Sequence, residues 1–515
     1  MTTYLNLAEY FYSSAKNFKN RPALRYKKQI ITYNQLNKLS NKLANFFLSI
    51  KIERCDVIGI LNTKEYLGYA SMLACLKIGA IYTNLDEENP SPRLEKIICK
   101  CKTKLLISDR KPIAAINDLL CKLKITFIDL SKNNEFSHFN DTNLECSKNI
   151  IGTNPAYIMF TSGSTGIPKG VTITHTNIIS FLEWGKKKYN INSNDIFAQV
   201  NPMYFDNSVF DFYTALFSGA SLVPIKKEVT TNILELINLV DQMKCTIWFS
   251  VPSLLIFLQT AKALNRNTFQ TIRVFTFGGE GYPKSELKKL YDLYKDQAKI
   301  INVYGPTEGT CICSSHEITD VDFKNMSALA PLGKINPNFD IIIIDEKMHE
   351  VKKGQKGELC LIGPNIALGY YNDESRTNQN FIQNPKVKSY RDIIYRTGDI
   401  VYEKNNVLWF AGRIDNQIKH MGYRIELEEI EAALNGFFYI NQTAVLYKRV
   451  NVNYGKIIAY VASKKNISEQ EIRIDLSYVL PKYMVPDVIK IIDQLPKNAN
   501  GKVDKKKLSS IKIDV

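Results

Sequence analysis

The chain has 515 residues, of which 45% are hydrophobic and 23% are charged. These values are ordinary for a globular protein, and a chain of this length should divide into two or more domains. The N-terminus lacks the basic-then-apolar layout of a signal peptide. No apolar run approaches the ~18 residues of a membrane-spanning helix, so we expect a cytoplasmic protein with no membrane-bound segment.

Lysine and arginine outnumber aspartate and glutamate, 67 against 51, which gives a net charge of +16. Such a surplus could attract nucleic acid or an acidic protein. The basic residues are spread along the chain, and their one local cluster, residues 497–507, has no interleaved aromatic side chains, so we predict no nucleic-acid binding. The ten cysteines include no C-x-x-C pair and the five histidines are scattered, which argues against a disulfide framework or a histidine–cysteine metal site.

Residues 1–150 alternate between strand-like and helix-like segments. Residues 31–33 predict a short strand before a helix over 37–50, and residues 56–61 predict a buried strand. This alternation is typical of a mostly parallel sheet covered by helices. The polar stretch 132–149 has no clear periodicity and predicts a surface connection. We therefore expect an α/β fold.

A loop rich in hydroxyl groups and glycine lies between an apolar strand and a helix-like segment over 174–188. Its glycines allow backbone N–H groups to converge, and its hydroxyl groups and lysine suit a polyphosphate. It is not the P-loop of the kinase-like NTPases, because Pro168 stands where that motif requires glycine. This phosphate loop (residues 161–169) contains Thr161, Ser162, Gly163, Ser164 and Thr165, with Lys169 at its exit. An ordinary serine–glycine turn is the alternative.

Asp206 stands in an otherwise apolar and aromatic segment, residues 204–211. An unpaired carboxylate is costly in such surroundings, and a cationic ligand would offset that cost. Aspartate is also a favoured residue at a helix N-terminus, and the segment 207–217 could be a helix that Asp206 caps. The residues by themselves leave both interpretations open.

Two strand-like segments end in candidate binding residues. Residues 273–277 lead into Gly278 and Gly279, where a ligand could approach the backbone or the chain could simply turn. Residues 300–304 lead into an amide, an aromatic ring, a hydroxyl and a carboxylate, which could bind a base, a phosphate and Mg²⁺. These four are Asn302, Tyr304, Thr307 and Glu308. A turn with a buried tyrosine is the structural alternative.

Further along the chain, Asp399 follows Gly398, and its two acceptor oxygens suit a cis-diol. A hairpin turn is the alternative. The last ~100 residues mix strands, over 442–447 and 456–462, with helices, over 427–435 and 468–478, which predicts a small α+β domain. Near its end, an Asn-Gly turn would present Lys502 at a loop tip; an ordinary solvated lysine is the alternative.

Together these motifs resemble the adenylate-forming superfamily of acyl-CoA synthetases, luciferases and peptide-synthetase adenylation domains. The resemblance extends from about residue 31 to residue 502. It implies a large N-terminal domain of several subdomains with mostly parallel sheets, residues 1–414, and a small mobile α+β domain, residues 415–515. It also implies an AMP-forming ligase that uses ATP and Mg²⁺.

The resemblance assigns roles to individual residues. Lys502, Thr165 and Lys169 are the catalytic candidates, Glu308 the Mg²⁺ ligand and Asp415 the hinge between the domains. In such enzymes the asparagine and tyrosine of the strand-end motif contact adenine, the threonine contacts phosphate and the aspartate accepts the ribose hydroxyls. The nucleotide residues are Thr161, Ser162, Gly163, Ser164, Gly279, Asn302, Val303, Tyr304, Gly305, Pro306, Thr307, Asp399, Phe410, Arg413 and Lys502.

An aspartate at the position of Asp206 binds the substrate α-ammonium in the amino-acid-activating members. The side-chain pocket implied by the resemblance consists of Asp206, Asn207, Phe210, Phe249, Thr276, Gly278, Val303, Cys311, Ile312 and Lys502. Only Asp206 and Lys502 are charged, which disfavours a charged substrate side chain, and the phenylalanines favour a small or medium neutral amino acid. The length resembles that of the ligases that load D-alanine onto a carrier. That group carries cysteine where Gly278 stands, so we favour an L-amino acid.

The thiol that accepts the activated group is expected on a separate molecule, because no carrier module follows Lys502 in the sequence. Residues 419–424 resemble the face that members of the superfamily present to that thiol. A free carrier protein with phosphopantetheine is the first choice, since such carriers are acidic and this chain is basic, and coenzyme A is the second. The sequence also leaves open an acyl- or aryl-CoA synthetase and a non-catalytic carrier-binding module.

Overall fold

The computed structural model describes residues 4–132, 134–163, 166–326, 329–450, 455–497 and 503–511. Within them, the chain forms an α/β structure with two large, mostly parallel sheets, a five-stranded antiparallel sheet and a small C-terminal unit. This confirms the predicted fold class. Among the described residues, no helix is long and apolar enough to cross a bilayer.

A nine-stranded sheet carries four of the candidate substrate residues, Phe249, Thr276, Gly278 and Val303, in its strands. Its central strands pair in parallel, and antiparallel strands close both edges. In spatial order the strands are Lys334–Ile335, Ser314–Glu317, Lys299–Tyr304, Val274–Gly278, Ile247–Ser250, Ile196–Gln199, Ser221–Pro224, Pro22–Arg25 and Ile30–Thr32.

A seven-stranded sheet carries the phosphate loop between two of its strands. Its order is Gly369–Tyr370, Lys169–Thr174, Pro155–Thr161, Ile81–Leu85, Val57–Leu61, Leu105–Ser108 and Thr126–Asp129. The phosphate loop joins the antiparallel pair Pro155–Thr161 and Lys169–Thr174. The strand Val57–Leu61 is buried along its whole length, as expected for a parallel strand covered on both faces.

Helices cover the two sheets. Tyr33–Ser49 begins at a capping box, in which Thr32 accepts from the Gln35 backbone and the Gln35 side chain accepts from the Thr32 backbone. The segment predicted as a connection contains two short 3₁₀ turns, Glu135–His138 and Glu145–Asn149. The remaining helices before the C-terminal unit are Leu7–Asn17, Tyr66–Ile78, Ser91–Cys101, Ala114–Leu123, His175–Tyr189, Lys227–Thr231, Ile233–Gln242, Pro252–Thr260, Lys284–Tyr294 and Glu374–Asn380.

The antiparallel sheet leads into the C-terminal unit. Its strands are Asp340–Ile344, Gly357–Ile362, Ile393–Lys404, Phe381–Gln383 and Val407–Arg413. A two-stranded hairpin follows, Gln417–His420 with Tyr423–Glu426, which we call the C-terminal hairpin. After it come the helices Leu427–Asn435, Glu469–Ser477 and Lys505–Ser510 and a three-stranded sheet of Ile440–Arg449, Gly455–Ser463 and Val488–Ile491. This unit has its own apolar core, which confirms the expected small α+β domain.

Candidate active site

A cavity of about 560 Å³ lies at the carboxyl ends of the parallel strands in the nine-stranded sheet. The residues directly after four neighbouring strands line it, namely Val200, Val251, Gly279 and Gly305. Ligands of α/β proteins characteristically bind at this edge of a sheet. The C-terminal hairpin closes the other side with Lys419, Gly422 and Arg424. The cavity therefore lies between the large N-terminal part and the C-terminal unit.

Asp206 reaches into this cavity and does not cap a helix. Its side chain makes no capping hydrogen bond, and the chain after it forms one helical turn, Asn207–Val209, before the π-helical segment Phe210–Thr214. Oδ2 of Asp206 instead accepts from the Thr307 hydroxyl at 2.6 Å. Burial raises the pKa of Asp206, against the lowering effects of Thr307 and of the nearby Arg424. The helix-cap interpretation is wrong, and the carboxylate remains available to a cation.

The candidate ribose carboxylate belongs to a dense polar cluster. Asp399 is 3% exposed and lies inside the strand Ile393–Lys404, so the hairpin-turn alternative is wrong. Its oxygens accept from the Tyr304 hydroxyl at 2.5 Å and from Arg413 Nη1 at 2.6 Å. Arg413 also holds Asp415, the candidate hinge, with bonds of 2.6 and 2.7 Å. A planar guanidinium pre-orients both carboxylates in this way.

Most of the predicted nucleotide residues line the cavity. They are Thr161, Ser162, Gly279, Val303, Tyr304, Gly305, Pro306, Thr307, Asp399 and Arg413. Three others lie outside the lining. Asn302 is buried and donates from its side-chain amide to the Pro331 carbonyl at 2.7 Å, Gly163 lies further along the phosphate loop, and Phe410 is 41% exposed. The nucleotide roles of all these residues, inside and outside the lining, stay predictions.

The phosphate loop is covered by the C-terminal hairpin and the helix after it. The Ser162 hydroxyl donates to the Arg424 carbonyl at 2.7 Å, and the Lys169 ammonium to Glu426 at 3.0 Å. The Thr161 hydroxyl lines the cavity and is buried without a hydrogen-bond partner among the described residues. Three catalytic and phosphate-binding candidates, Ser164, Thr165 and Lys502, lie outside the described residues.

Glu308, the candidate Mg²⁺ ligand, is fully buried. Its oxygens accept from the Tyr370 hydroxyl at 2.8 Å and from Arg424 Nη1 at 2.8 Å. Burial opposes the charge, but Arg424 and Lys169 outweigh it and lower the pKa of Glu308 to about 2. The described residues contain no cluster of three or more metal-ligating side chains. Glu308 therefore fits a Mg²⁺ ion that has one protein carboxylate as a ligand and phosphate oxygens as the others. Arg424 would have to leave Glu308 for the ion to bind.

Six of the predicted side-chain pocket residues line the cavity. Asp206, Asn207, Phe249, Gly278, Val303 and Cys311 line it, whereas Phe210, Thr276 and Ile312 lie outside the lining. Phe249 packs edge-on against Phe210 with ring centroids 5.4 Å apart. A Cβ at Gly278 would lie 2.6 Å from the Val303 carbonyl oxygen, so this backbone requires glycine. Phe249, Val303 and Cys311 therefore give this part of the lining its apolar character.

Two family models match the chain. The model described as "AMP-binding enzyme" matches residues 11–371, and the "AMP-binding enzyme C-terminal domain" matches residues 429–502. The chain belongs to the AMP-binding enzyme family. The predicted adenylate-forming superfamily is thereby confirmed, and the protein is an AMP-forming ligase.

Curated relatives of this AMP-binding enzyme include stand-alone ligases and much longer synthases. The D-alanine--D-alanyl carrier protein ligase of Bacillus licheniformis is 32% identical over 487 residues, which cover 93% of this chain and 94% of that protein. Bacitracin synthase 1 of Bacillus licheniformis is 31% identical over 98% of this chain, which spans only 9% of the synthase.

Solved structures share the fold. The Vibrio cholerae adenylation domain AlmE, solved in complex with glycyl-adenosine-5'-phosphate, superposes with a TM-score of 0.82 at 22% identity and covers 99% of this chain and 98% of its own. The o-succinylbenzoate CoA synthetase of Bacillus subtilis superposes with a TM-score of 0.84 at 20% identity and covers 99% of each chain.

Sequence reasoning missed several residues at the site of this AMP-binding enzyme. Glu426 and Glu429 approach the phosphate loop, Arg93 pairs with Glu429, and Glu280 accepts from the Gly422 backbone N–H at 2.9 Å. The segment 419–424, which resembles the face presented to the accepting thiol, contributes five residues to the lining, Lys419, Met421, Gly422, Tyr423 and Arg424; its role toward a thiol stays a prediction. Glu426 and Glu429 follow directly after this segment, so sequence reasoning could have singled them out. Nothing in the sequence near Arg93 indicates a role for that residue.

Proposed function

We propose that the enzyme activates an amino acid with ATP. A carboxylate oxygen of the amino acid attacks the α-phosphorus, the bond from that phosphorus to the β-phosphate bridging oxygen breaks, and aminoacyl-AMP and pyrophosphate form. One observation carries the choice of an amino acid, namely that the carboxylate of Asp206 lines the cavity beside the apolar side chains of Phe249 and Val303. A substrate ammonium offsets the cost of that carboxylate.

Other residues of the chain bind the pyrophosphate, the α-phosphate, the base and the ribose. The donors of the phosphate loop and Lys169 receive the departing pyrophosphate, and Lys502 bridges the substrate carboxylate and the α-phosphate, where negative charge develops. Tyr304 lies beside the base and Asp399 accepts from the ribose hydroxyls. Mg²⁺, held by Glu308 and phosphate oxygens, supplies charge neutralisation when bound. Preorganised charges of this kind act without reorganising during the reaction.

The second half of the proposed reaction transfers the aminoacyl group to a thiol. The thiol sulfur, after losing its proton, attacks the acyl carbonyl, the bond to the phosphate oxygen breaks, and AMP leaves. A domain of residues 415–515 moves about Asp415 relative to residues 1–414 between the two steps, which lets one cavity serve both. The acceptor is the phosphopantetheine of a separate acidic carrier protein, whose charge complements the net +16 of this chain.

The substrate is a small or medium neutral amino acid, since the pocket is lined by Phe249, Val303 and Cys311 and has no charged side chain beyond Asp206 among its described residues. D-alanine is the second candidate. It is favoured because the match to the D-alanine--D-alanyl carrier protein ligase extends over 94% of that ligase. Gly278 favours an L-amino acid instead, since that group of ligases carries cysteine there. The enzyme is placed in the cytoplasm, where ATP and reduced thiols coexist, in agreement with its ten free cysteines.

Exchange of labelled pyrophosphate into ATP tests the first step. The assay covers all L-amino acids, D-alanine and a set of fatty and aryl acids. A strong signal with one small neutral amino acid supports the proposal and identifies the substrate, and a signal with D-alanine alone selects the second candidate. Exchange only with acids that lack an amino group overturns the role of Asp206 and points to an acyl- or aryl-CoA synthetase.

The second step is tested with the substrate found in the first. Purified carrier proteins bearing phosphopantetheine and free coenzyme A are offered separately, and thioester formation is followed by mass spectrometry. Transfer to a carrier but not to coenzyme A supports the proposal. Efficient transfer to coenzyme A alone overturns the choice of acceptor while leaving the activation step intact.

A further inference from the structure

A buried lysine connects the two large sheets at their carboxyl edges. Lys64 lies in the loop after the strand Val57–Leu61 of the seven-stranded sheet and is 5% exposed. Its ammonium group donates to the backbone carbonyls of Gln199, Val200 and Ile225 at 2.9, 3.1 and 2.6 Å. These carbonyls lie at the carboxyl ends of two neighbouring parallel strands of the nine-stranded sheet. All three N–H donors of the lysine are therefore used on the opposite sheet.

The loop around Lys64 is fixed by polar contacts of its own. The Asn62 side chain accepts from the Lys64 backbone N–H at 3.0 Å. Asp109 accepts from the backbone N–H groups of Thr63 and Glu65 at 2.9 and 3.1 Å. Lys64 has a φ of 69°, in the left-handed region that residues other than glycine rarely adopt. A residue stays in such a conformation only where the surrounding structure imposes it, so the contacts of the loop determine where the lysine side chain points.

The burial of Lys64 has a cost that packing alone does not explain. Burial lowers its pKa to about 7, although the negative charges of Asp211 and Glu228 act in the opposite direction. All three acceptors are neutral carbonyls, whereas a buried ammonium is ordinarily paired with a carboxylate. A methionine of similar length would fill the same space without the cost of burying a charge. The ammonium group is therefore explained by the carbonyls that it holds in place.

The strand end held by Lys64 is the start of the segment that carries Asp206. Residues 200–206 all line the cavity. Asn84, a residue of the seven-stranded sheet, donates from its side chain to the Met203 carbonyl at 3.2 Å, halfway along this segment. The segment is thus attached to the seven-stranded sheet at its first residue and at its middle. A shift of its first residue would be passed along the backbone to the carboxylate at its end.

We propose that Lys64 is a positioning residue for the carboxylate of Asp206. By holding the ends of two strands, it fixes the start of residues 200–206 and so the distance between Asp206 and the substrate ammonium. Its own ammonium group is fully used on the three carbonyls and does not bind the substrate. The nucleotide residues belong to other strands and their loops, so the effect of Lys64 falls on the amino acid and not on ATP. This inference rests on the proposed function and adds a residue that acts on its substrate site from outside the predicted pocket.

The first test replaces Lys64 by methionine, which keeps the length of the side chain and removes its donors. In pyrophosphate exchange with the best amino acid, the KM for that amino acid should rise about tenfold, because a misplaced binding group is costly, while the KM for ATP stays within about twofold. Hydrogen exchange followed by mass spectrometry should be faster over residues 199–206, since the strand ends lose their anchor.

Lys77→Met is the matched control. Lys77 is a second fully buried lysine, and its ammonium group donates to the side chains of Asn37, Ser40 and Asn41 at 2.8, 2.6 and 2.7 Å. These contacts join two helices, and Lys77 does not line the cavity. Its replacement should lower the unfolding temperature, since buried acceptors lose their donor, and should leave both KM values and the hydrogen exchange of the segment unchanged.

Lys64→Gln keeps an N–H donor and should fold with a smaller rise in the KM for the amino acid, so the test does not depend on the methionine variant alone. An unchanged KM for the amino acid in both variants overturns the proposal, as does an equal rise in the KM for ATP. Failure of the proposed function looks different, because the unmodified protein then exchanges pyrophosphate with no amino acid. Hydrogen exchange over residues 199–206 needs no substrate, and equal exchange in the unmodified protein and the Lys64 variants overturns the proposal in that case too.

Discussion

Replacing Asp206 by asparagine tests the amino-acid specificity directly. The change keeps the size of the side chain. In the native protein the Thr307 hydroxyl donates to Oδ2 of Asp206 at 2.6 Å, and the amide oxygen of asparagine can accept the same hydrogen bond. Only the negative charge is lost. The variant should therefore fold normally and bind ATP as before, while the substrate ammonium loses its counter-charge.

The size of the effect follows from the surroundings of Asp206. Two unit charges ~4 Å apart interact by about 4 kcal/mol at an effective dielectric constant of ~20, whereas a hydrogen bond to a charged group contributes about 1.5–3 kcal/mol net. Since about 1.4 kcal/mol corresponds to a factor of ten, these two values bracket the expected fall in kcat/KM for the amino acid at about 10- to 10³-fold. The analogue that lacks the amino group should lose far less.

The assay is pyrophosphate exchange with the best amino acid and with its des-amino analogue. Asp211→Asn serves as control, because Asp211 is a buried carboxylate in the same segment that accepts from Asn201 at 3.3 Å and does not line the cavity. Its substitution should leave the preference for the amino acid unchanged. An Asp206→Asn enzyme that keeps kcat/KM within threefold, or that loses both substrates equally, would refute the reasoning.

Further predictions concern other parts of the site. Burial raises the pKa of Asp206, so kcat/KM for the amino acid should fall as pH drops through a midpoint above the ordinary aspartate value of ~3.9; a profile identical to that of Asp206→Asn would contradict this. Lys502→Ala should slow exchange by about 10²- to 10³-fold with unchanged unfolding temperature, whereas Lys506→Ala should have no effect; near-normal exchange in Lys502→Ala would exclude its role. Phe249→Leu should raise activity on larger neutral amino acids about tenfold relative to the native substrate. Pyrophosphate exchange across the same panel of acids measures this, and an unchanged order of substrates would mean that Phe249 does not limit the size of the pocket. Asp415→Pro should preserve exchange but abolish thioester formation; loss of both or of neither would contradict the hinge.

The sequence by itself determined the family and the fold class, and it singled out part of the cavity lining. The phosphate loop and the residues from Tyr304 to Thr307 could be singled out because each follows an apolar strand, where local spacing decides which polar groups reach the strand end. Asp399 was chosen only through the resemblance to the superfamily. The helix Leu427–Asn435 was predicted with the bounds it has in the structure, since its apolar spacing is a local property.

Only the tertiary structure decided which charges meet. Asp206 could have capped a helix, and its contact with Thr307, 101 residues away, shows that it faces the cavity. The pairs Glu308–Arg424 and Arg93–Glu429 join residues 116 and 336 positions apart. No local pattern of apolar and polar residues specifies such contacts, because they depend on how the C-terminal unit packs against the large sheets. The contacts between the phosphate loop and that unit therefore depend on packing.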